Sequence, residues 1–453
     1  CSRHIMCNLF RMHGDGANIY QLGKSTLFEG HPSLLSDGRL IYDRWEYVDR
    51  NFGSAQGLWV VNPDGTGHAI FYGNNTSQPG AQVDARPLPG TSTRIICTIA
   101  ACHDRPWGGL AILDRSLGVD GKTPVIRTFP ESLRDSFANE GNFDLVRSIK
   151  LKYEDPFPLD AEHFLCVRMT GKGEETGLYY LDMHGNEVLV HAEAPGCFDP
   201  VVVQARSKPP MPALRRDFVS KTGKFYVQDV LIGTHMANVA RSEVKYLRVV
   251  ESPEKRTYAG GGESWYGKGR YPANGEQAPA VNWSCLENKR ILGTVPVEED
   301  GSAYFEVPAN TFVYFQLLDG QKRMIHSMRS GINLQPGETQ GCVGCHESRT
   351  ADIPPVTPKI KAMQRAASSL EGWYGPARLF DFQEEVQPIF DRHCVRCHDY
   401  NRTAGKKLIL RGDRSIPFCA SYVALWQGNY LGTIGAGPSD FMPALSWGSR
   451  TSK

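Results

Sequence analysis

The sequence predicts a mainly β protein: a partial β-propeller, then a β-sandwich-like middle domain, then a small α-helical domain. Three observations carry that expectation. A spaced repeat of short apolar strands, each closed by an Asp- or Gly-bearing turn, fills the first half of the chain. A second run of strands follows without the repeat, and near the C-terminus the apolar period switches from that of a strand to that of a helix.

The repeat is visible in LFRMHGDG (Leu9 to Gly16), LWVVNPDG (Leu58 to Gly65), LAILDRSLG (Leu110 to Gly118) and LYYLDMHG (Leu178 to Gly185). Their starts are spaced by 49, 52 and 68 residues. Ahead of the last three come proline-bearing lead-ins: HPSLLSDGRLIYDRW from His31, ARPLPG from Ala85 and EDPFPL from Glu154. Units of roughly 40 to 50 residues built from strands and Asp-Gly turns are the signature of propeller blades. The Asp-Gly pairs supply the positive φ that tight hairpins require. Three complete units are fewer than a closed propeller needs, and the first phrase leaves no room for its own lead-in. The propeller is therefore expected to begin upstream of Cys1.

From about Ala213 the repeat stops. KYLRVVE (Lys245 to Glu251), ILGTVPV (Ile291 to Val297), AYFEV (Ala303 to Val307) and VYFQLLD (Val313 to Asp319) read as strands of an antiparallel sandwich. Ala351 to Gly375 carries IPPVTPKIK and little periodicity, and reads as a linker. In FQEEVQPIFDRHCVRCH, Val386, Ile389, Phe390 and His393 fall at helical spacing, with Pro388 early enough to be tolerated. The expected domains are 1–212 (propeller blades), 213–350 (middle domain), 351–375 (linker) and 376–453 (helical domain, incomplete at its end).

Composition narrows the function. The chain has 453 residues, with Lys+Arg 50 against Asp+Glu 49, so its formal charge is +1. Such a balance gives no electrostatic basis for a nucleic-acid or acidic-membrane partner. At 41% hydrophobic and 22% charged the chain is suited to a packed core. No apolar run approaches the roughly 18 residues of a membrane span.

Two pentapeptides carry the chemistry: CVGCH (Cys342 to His346) and CVRCH (Cys394 to His398). C-x-x-C-H is the attachment signal for a c-type haem. Two thiols three positions apart lie on one side of a turn and can form thioethers to one porphyrin, while the adjacent His ligates the iron. The competing reading is one four-cysteine zinc site shared between the pairs, but their separation of 52 residues exceeds that of compact zinc ribbons. Two covalent c-type haems are therefore expected, the last domain is cytochrome c-like, and the protein is placed outside the cytoplasm. Of the remaining cysteines, Cys166 in FLCVR reads as a buried small hydrophobe. Cys102, beside His103 and Asp104, reads first as a disulfide or core thiol and second as a metal ligand. Met324, His326 and Met328, just upstream of the first motif, read first as packing residues and second as distal ligands to the first iron. Met442, in Met442-Pro443-Ala444, is a candidate distal ligand to the second iron.

GTVPVEEDGSAYFEVPA, SMRSGINLQPGETQGCVGCHE and FDFQEEVQPIFDRHCVRCH, set behind a DG-rich propeller, resemble the alpha subunit of hydrazine synthase and its planctomycete-type dihaem relatives. The likeness runs over essentially the whole chain and is most specific from Gly293 to His346. It implies a middle domain holding one haem at Cys342 and Cys345, and a C-terminal domain holding a second at Cys394 and Cys397 with His398 as proximal ligand. It also implies a distal His beyond Lys453. In that family a Tyr four residues after the first motif His binds iron, while the motif His turns to a zinc ion helped by a propeller cysteine. The matching positions here are Thr350, which cannot replace a phenolate, and Cys102. His346 is then free to ligate iron. The leading expectation is an extracytoplasmic dihaem cytochrome transferring electrons within a multi-subunit assembly of redox proteins, with His346 and His398 as iron ligands. The alternative is a haem enzyme acting on small nitrogen compounds, with the middle haem as its centre; zinc or calcium is a possible further cofactor.

Overall fold

A computed structural model describes residues 7–25, 28–46, 48, 56–205, 207–233, 235–253, 289–345, 360–414, 418–428, 430 and 444–445. The repeat unit is a four-stranded antiparallel meander, and the described residues form three of them, the second and third joined into one sheet where Tyr153 pairs with Gly108. The first comprises β3 (Phe28–Leu34), β4 (Leu40–Trp45), β5 (Gln56–Val61) and β6 (Ala69–Tyr72). Next come β7 (Ala81–Pro87), β8 (Arg94–Ala100), β9 (Gly108–Asp114) and β10 (Val125–Phe129). The third holds β11 (Tyr153–Pro158), β12 (His163–Met169), β13 (Thr176–Asp182) and β14 (Glu187–Ala192). Ahead of them β1 (Phe10–Arg11) and β2 (Tyr20–Gln21) form a two-stranded hairpin.

The repeated phrases β5, β9 and β13 are the third strands of these blades. Their turns close as the sequence requires: Gly65 and Gly185 sit at φ 84° and 91°, and each donates its N–H back three residues, to Asn62 and Asp182. The proline-bearing lead-ins are the first strands. Each carries a bulge against the second strand, and within each bulge one non-glycine residue adopts the left-handed region: His31, Asp84 and Asp155 at φ 45°, 46° and 51°. Asp and His tolerate that region better than most residues. The three first strands pack on one another in sequence, β3 against β7 and β7 against β11, as the inner strands of a propeller do. Between blades the contact is apolar: Ile41, Leu58, Val60 and Phe71 face Ile95, Cys97, Ile99 and Leu113. Cys97 and Cys166 are buried strand residues, the role expected of an isolated Cys in a strand.

The middle domain packs two sheets face to face. One has the order β18-β15-β21, from β15 (Thr222–Val227), β18 (Ala303–Pro308) and β21 (Thr339–Cys342). The other has the order β17-β16-β19-β20, from β16 (Tyr246–Glu251), β17 (Arg290–Pro296), β19 (Val313–Leu318) and β20 (Met324–Ser327). Their inner faces meet in one core that includes Phe225, Leu247, Val249, Phe305, Phe315 and Ile325. The sandwich is not wholly antiparallel as its strand pattern suggested: β15 and β21 run parallel, with Val227 opposite Cys342. The long crossover between them contains the rest of the domain, so their pairing is invisible in local sequence.

The stretch read as a linker is docked along its described part. Lys361 and Ala362 donate backbone N–H groups to Asp300 and Ser302, and Thr294 and Glu371 exchange backbone hydrogen bonds. Leu370 packs on the sandwich core. The C-terminal region is helical, with α1 (Phe382–Glu385), α2 (Gln387–His393) and α3 (Ala420–Gln427). Asp381 caps α1 by accepting from the N–H groups of Gln383 and Glu384. Pro388 lies in the first turn of α2, where its missing N–H costs nothing.

Propeller and sandwich meet through buried polar groups. Arg44, on β4, has no exposed side-chain surface. It donates 2.6 Å hydrogen bonds to Glu46 and to the carbonyl of Gly331, and its guanidinium lies over the rings of Trp59 and Phe312. Glu46 in turn accepts from the Ser330 hydroxyl and the Gly331 N–H. At a second joint Glu338 accepts N–H groups from Gly67 (2.7 Å), in the β5–β6 hairpin, and from Gln335 (2.8 Å). Glu338 immediately precedes β21, so the propeller is fastened to the strand that delivers Cys342.

Burial lifts the Glu338 carboxyl to about 7, against the two N–H donors that favour its charged form. An unfolded Glu titrates near 4.5. The stabilisation from holding this proton is therefore complete below about 4.5 and is lost as the pH rises through about 7. Stability should fall across that window by on the order of 3 kcal/mol from this group. Asp84 and Glu154, raised by burial to about 6 and about 7, add in the same sense. Urea midpoints at acid and at mildly alkaline pH should converge in Glu338→Gln relative to the unaltered chain. An identical pH dependence in the two would show that Glu338 is ionised throughout.

Candidate functional site

The second motif stands at the end of α2. The turn is closed by the N–H groups of Cys397 and His398 donating to the carbonyl of Cys394 at 3.0 and 2.9 Å. This puts the two thiols and the imidazole on one turn, as the spacing of the motif requires. The His398 ring is fixed by a 3.0 Å hydrogen bond between Nδ1 and the carbonyl of Leu408. Because a carbonyl can only accept, Nδ1 carries a proton, which leaves Nε2 as the nitrogen able to serve as a ligand. A ligand histidine is ordinarily oriented by such a second hydrogen bond.

Buried Gln387 holds the surrounding loops. Its Nε2 donates to Asp391 and to the carbonyl of Leu410, while its Oε1 accepts from Ser421 on α3. The Leu410 N–H donates to the carbonyl of His398. One satisfied amide therefore ties α2, the loop after the motif and α3 together. Apolar burial is slight by comparison. Among the described residues from 376 to 430, Leu410 and Cys419 are the buried apolar ones, whereas Val386, Phe390, Cys394, Val395 and Leu408 are half-buried and Ile389 is exposed.

The first motif is delivered by β21. Cys342 is its last residue, and the turn beyond it is braced by the N–H groups of Gln228 and Asp229, which donate to the carbonyls of Cys342 and Val343 at 3.0 and 3.1 Å. Gly344 is required here, because a Cβ would lie 2.1 Å from the carbonyl oxygen of Ile232. Cys342 and Cys345 are half-buried against the sandwich core. Met324 and His326 are buried on β20, and Met328 packs on the same core, the packing role expected of all three. His235 was not singled out by sequence reasoning. It stands alone in an irregular stretch, yet its ring packs against His326 with centroids 6.2 Å apart.

Cys102 lies in the β8–β9 loop of the second blade, half-buried, accepting from Gln56 Nε2 at 3.2 Å. Burial raises its thiol pKa, which disfavours the thiolate. His103 beside it is paired with Asp144 at 2.7 Å. Among the described residues no group of three or more His, Cys, Asp or Glu side chains is arranged to hold a metal ion. His346, Thr350 and Met442 lie outside the described residues; Ala444 and Leu445, just after Met442, pack on the middle-domain core, and the Leu445 N–H donates to the carbonyl of Ile325 at 2.8 Å.

The architecture defines a multidomain, mainly β protein of the propeller-plus-sandwich class, with paired cysteine-histidine motifs on the sandwich and on the helical module. Within that class the chain is similar to the hydrazine synthase alpha subunit. Residues 242–347 match the family model described as the hydrazine synthase alpha subunit middle domain. Over 219 residues, 36% of this chain and 26% of the relative, the sequence is 20% identical to hydrazine synthase subunit alpha of Kuenenia stuttgartiensis. The fold superposes on the solved Kuenenia stuttgartiensis hydrazine synthase with a TM-score of 0.69 and 16% identity, over 96% of this chain and 64% of that one. The chain thus spans just under two thirds of that structure's chain.

Proposed function

We propose that this chain binds two covalent c-type haems, one on each motif. In this reading the middle haem carries out redox chemistry on a small nitrogen compound while the C-terminal haem passes electrons to or from it. The observation that carries the proposal is the His398 ring, its Nδ1 bonded to the Leu408 carbonyl beside two thiols on one turn. That donor set fits a haem: two thioether positions and one oriented imidazole nitrogen. The half-buried Phe390 of α2, Val395 and Leu408 are suited to lie against a porphyrin, and a module this small gains the apolar burial it needs from such a partner.

The iron of a bound haem supplies the one-electron chemistry; the protein residues supply attachment, orientation and exclusion of water. Cys394 and Cys397 would hold the second group on the turn after α2, His398 would present an imidazole nitrogen to its iron, and Gln387 keeps the supporting loops together. Cys342 and Cys345 would hold the first group on the edge of the sandwich, with His346 following directly. The match of 242–347 to a middle domain of an enzyme subunit favours chemistry at the first haem. Electron transfer alone is the second reading, favoured by Thr350 where the family places a Tyr. In both readings the protein acts outside the cytoplasm, where thioether attachment of haem takes place, as one subunit of a redox assembly. Among the described residues no helix is long and apolar enough to cross a membrane. A zinc ion at Cys102 would have to overcome the raised pKa of that thiol. Titrating the reduced protein with carbon monoxide tests the choice: uptake by one haem of the two supports a reactive first haem, and uptake by neither supports electron transfer alone.

A further inference from the structure

A cavity of about 340 Å³ opens between the outer face of one sandwich sheet and the chain that enters the helical region. Leu247 and Val249 point from β16 into the sandwich core, so Arg248 and Val250 stand on the opposite face. Their partners on β19 are Gln316 and Tyr314, and all four residues line the cavity. Trp373, Arg378 and Phe380 line it from the docked stretch, and Glu385 from α1. The Trp373 and Phe380 rings lie 5.8 Å apart, and Tyr314 is fully buried. Both segments therefore supply aromatic wall.

The charges of this wall do not balance. Arg378 is engaged, its Nε and Nη2 donating to the two Glu385 oxygens and its Nη1 to the Trp373 carbonyl. Glu385 is the one carboxylate among the described lining residues. Arg248 has neutral partners instead: Nη1 donates to Gln316 Oε1 and Nη2 to the Lys322 carbonyl, each at 3.1 Å. Its Nε is buried without an acceptor, and the guanidinium has further N–H donors to offer. Burial presses its pKa downward, as it does for a desolvated cation that lacks an anion. Exposed Lys289 adds a second positive charge, its Nζ 5.8 Å from the centre of the Tyr314 ring.

We propose that this cavity binds a small organic monoanion, a carboxylate carried on a flat apolar body. Arg248 holds the carboxylate, and Tyr314, Trp373 and Phe380 pack against the body. A carboxylate matches the planar donor fork of a guanidinium. It also brings the desolvated cation the counter-charge that the lining lacks. An inorganic anion would leave the aromatic walls bare, and the volume suits a ligand at the small end of the organic range. The site needs no haem at either cysteine motif, so its failure and that of the haem reading are separate.

Equilibrium dialysis of the full chain with 2-naphthoate tests this, with 2-naphthamide as the uncharged comparison. One acid molecule should bind per chain, and the amide roughly tenfold more weakly, the difference expected for a charge-assisted hydrogen bond. Arg248→Gln should weaken binding of the acid roughly tenfold and leave the amide almost unchanged. Phe380→Glu sets a carboxylate at an exposed position of the wall and should weaken the acid severalfold through like-charge repulsion, with the fold intact. No uptake at about 1 mM acid, or equal uptake of acid and amide, would overturn the proposal. So would an affinity for the acid that both variants leave unchanged, which places the binding elsewhere on the chain.

Discussion

Replacing both Cys394 and Cys397 with Ser should reduce the covalent haem content from two per chain to one, with the first motif still loaded. The expectation follows from geometry. Both thiols lie on the turn closed by the Cys394 carbonyl, and they are the only sulfurs among the described residues adjoining the His398 ring in sequence. The helices α1 and α2 stay anchored by the Asp381 cap and by Gln387, neither of which touches the thiols in its hydrogen bonding. His398→Ala should behave differently: the haem stays attached, but its low-spin spectrum is lost because the oriented imidazole is gone. Haem quantified per chain, together with the reduced absorption spectrum, checks both. Retention of two haems in the double Ser variant would remove Cys394 and Cys397 from the attachment site.

Arg44→Ala should cost about 3–5 kcal/mol of stability, the penalty for stranding a fully buried partner charge. Arg44 and Glu46 are both without exposed side-chain surface, and their 2.6 Å pair is sealed by Trp59 and Phe312. Removal of the guanidinium takes the cationic partner from the buried Glu46 side chain, which still accepts from the Ser330 hydroxyl and the Gly331 N–H. The pair itself need not be stabilising relative to an apolar substitute. Arg44→Met combined with Glu46→Leu should therefore recover at least half of the loss. Denaturant unfolding of the three variants measures this. An Arg44→Ala penalty of less than about 1 kcal/mol would mean that the joint is held by its apolar contacts.

Much of the architecture is local and so could be read in advance. The third strand of each blade announces itself because an apolar strand runs into a turn where Gly65 or Gly185 must take positive φ. The first strands announce themselves through proline, but nothing in the sequence says that His31, Asp84 and Asp155 will sit at matching bulges. That regularity arises from the shared inner-strand geometry of the blades. Long-range pairing is equally silent: β15 and β21 are separated by the whole sandwich, and the Arg44–Gly331 bond joins residues 287 positions apart. At the site the two C-x-x-C-H motifs stand out because attachment chemistry demands contiguous residues. Their support does not, since any carbonyl can receive the His398 Nδ1 proton and the fold alone chooses Leu408. His235 shows the same limit: a single imidazole in an irregular stretch gains meaning only when the turn at Met236 brings it onto His326.

The central claim is that two porphyrins are bonded to this polypeptide. The direct measurement is the intact mass of the chain after production in a host that matures c-type cytochromes, followed by acid-acetone extraction and peptide mapping. Two added haem masses that survive extraction are expected, one on the 342–345 peptide and one on the 394–397 peptide. A mass equal to that of the bare chain, or zinc recovered in place of haem at those cysteines, would contradict it.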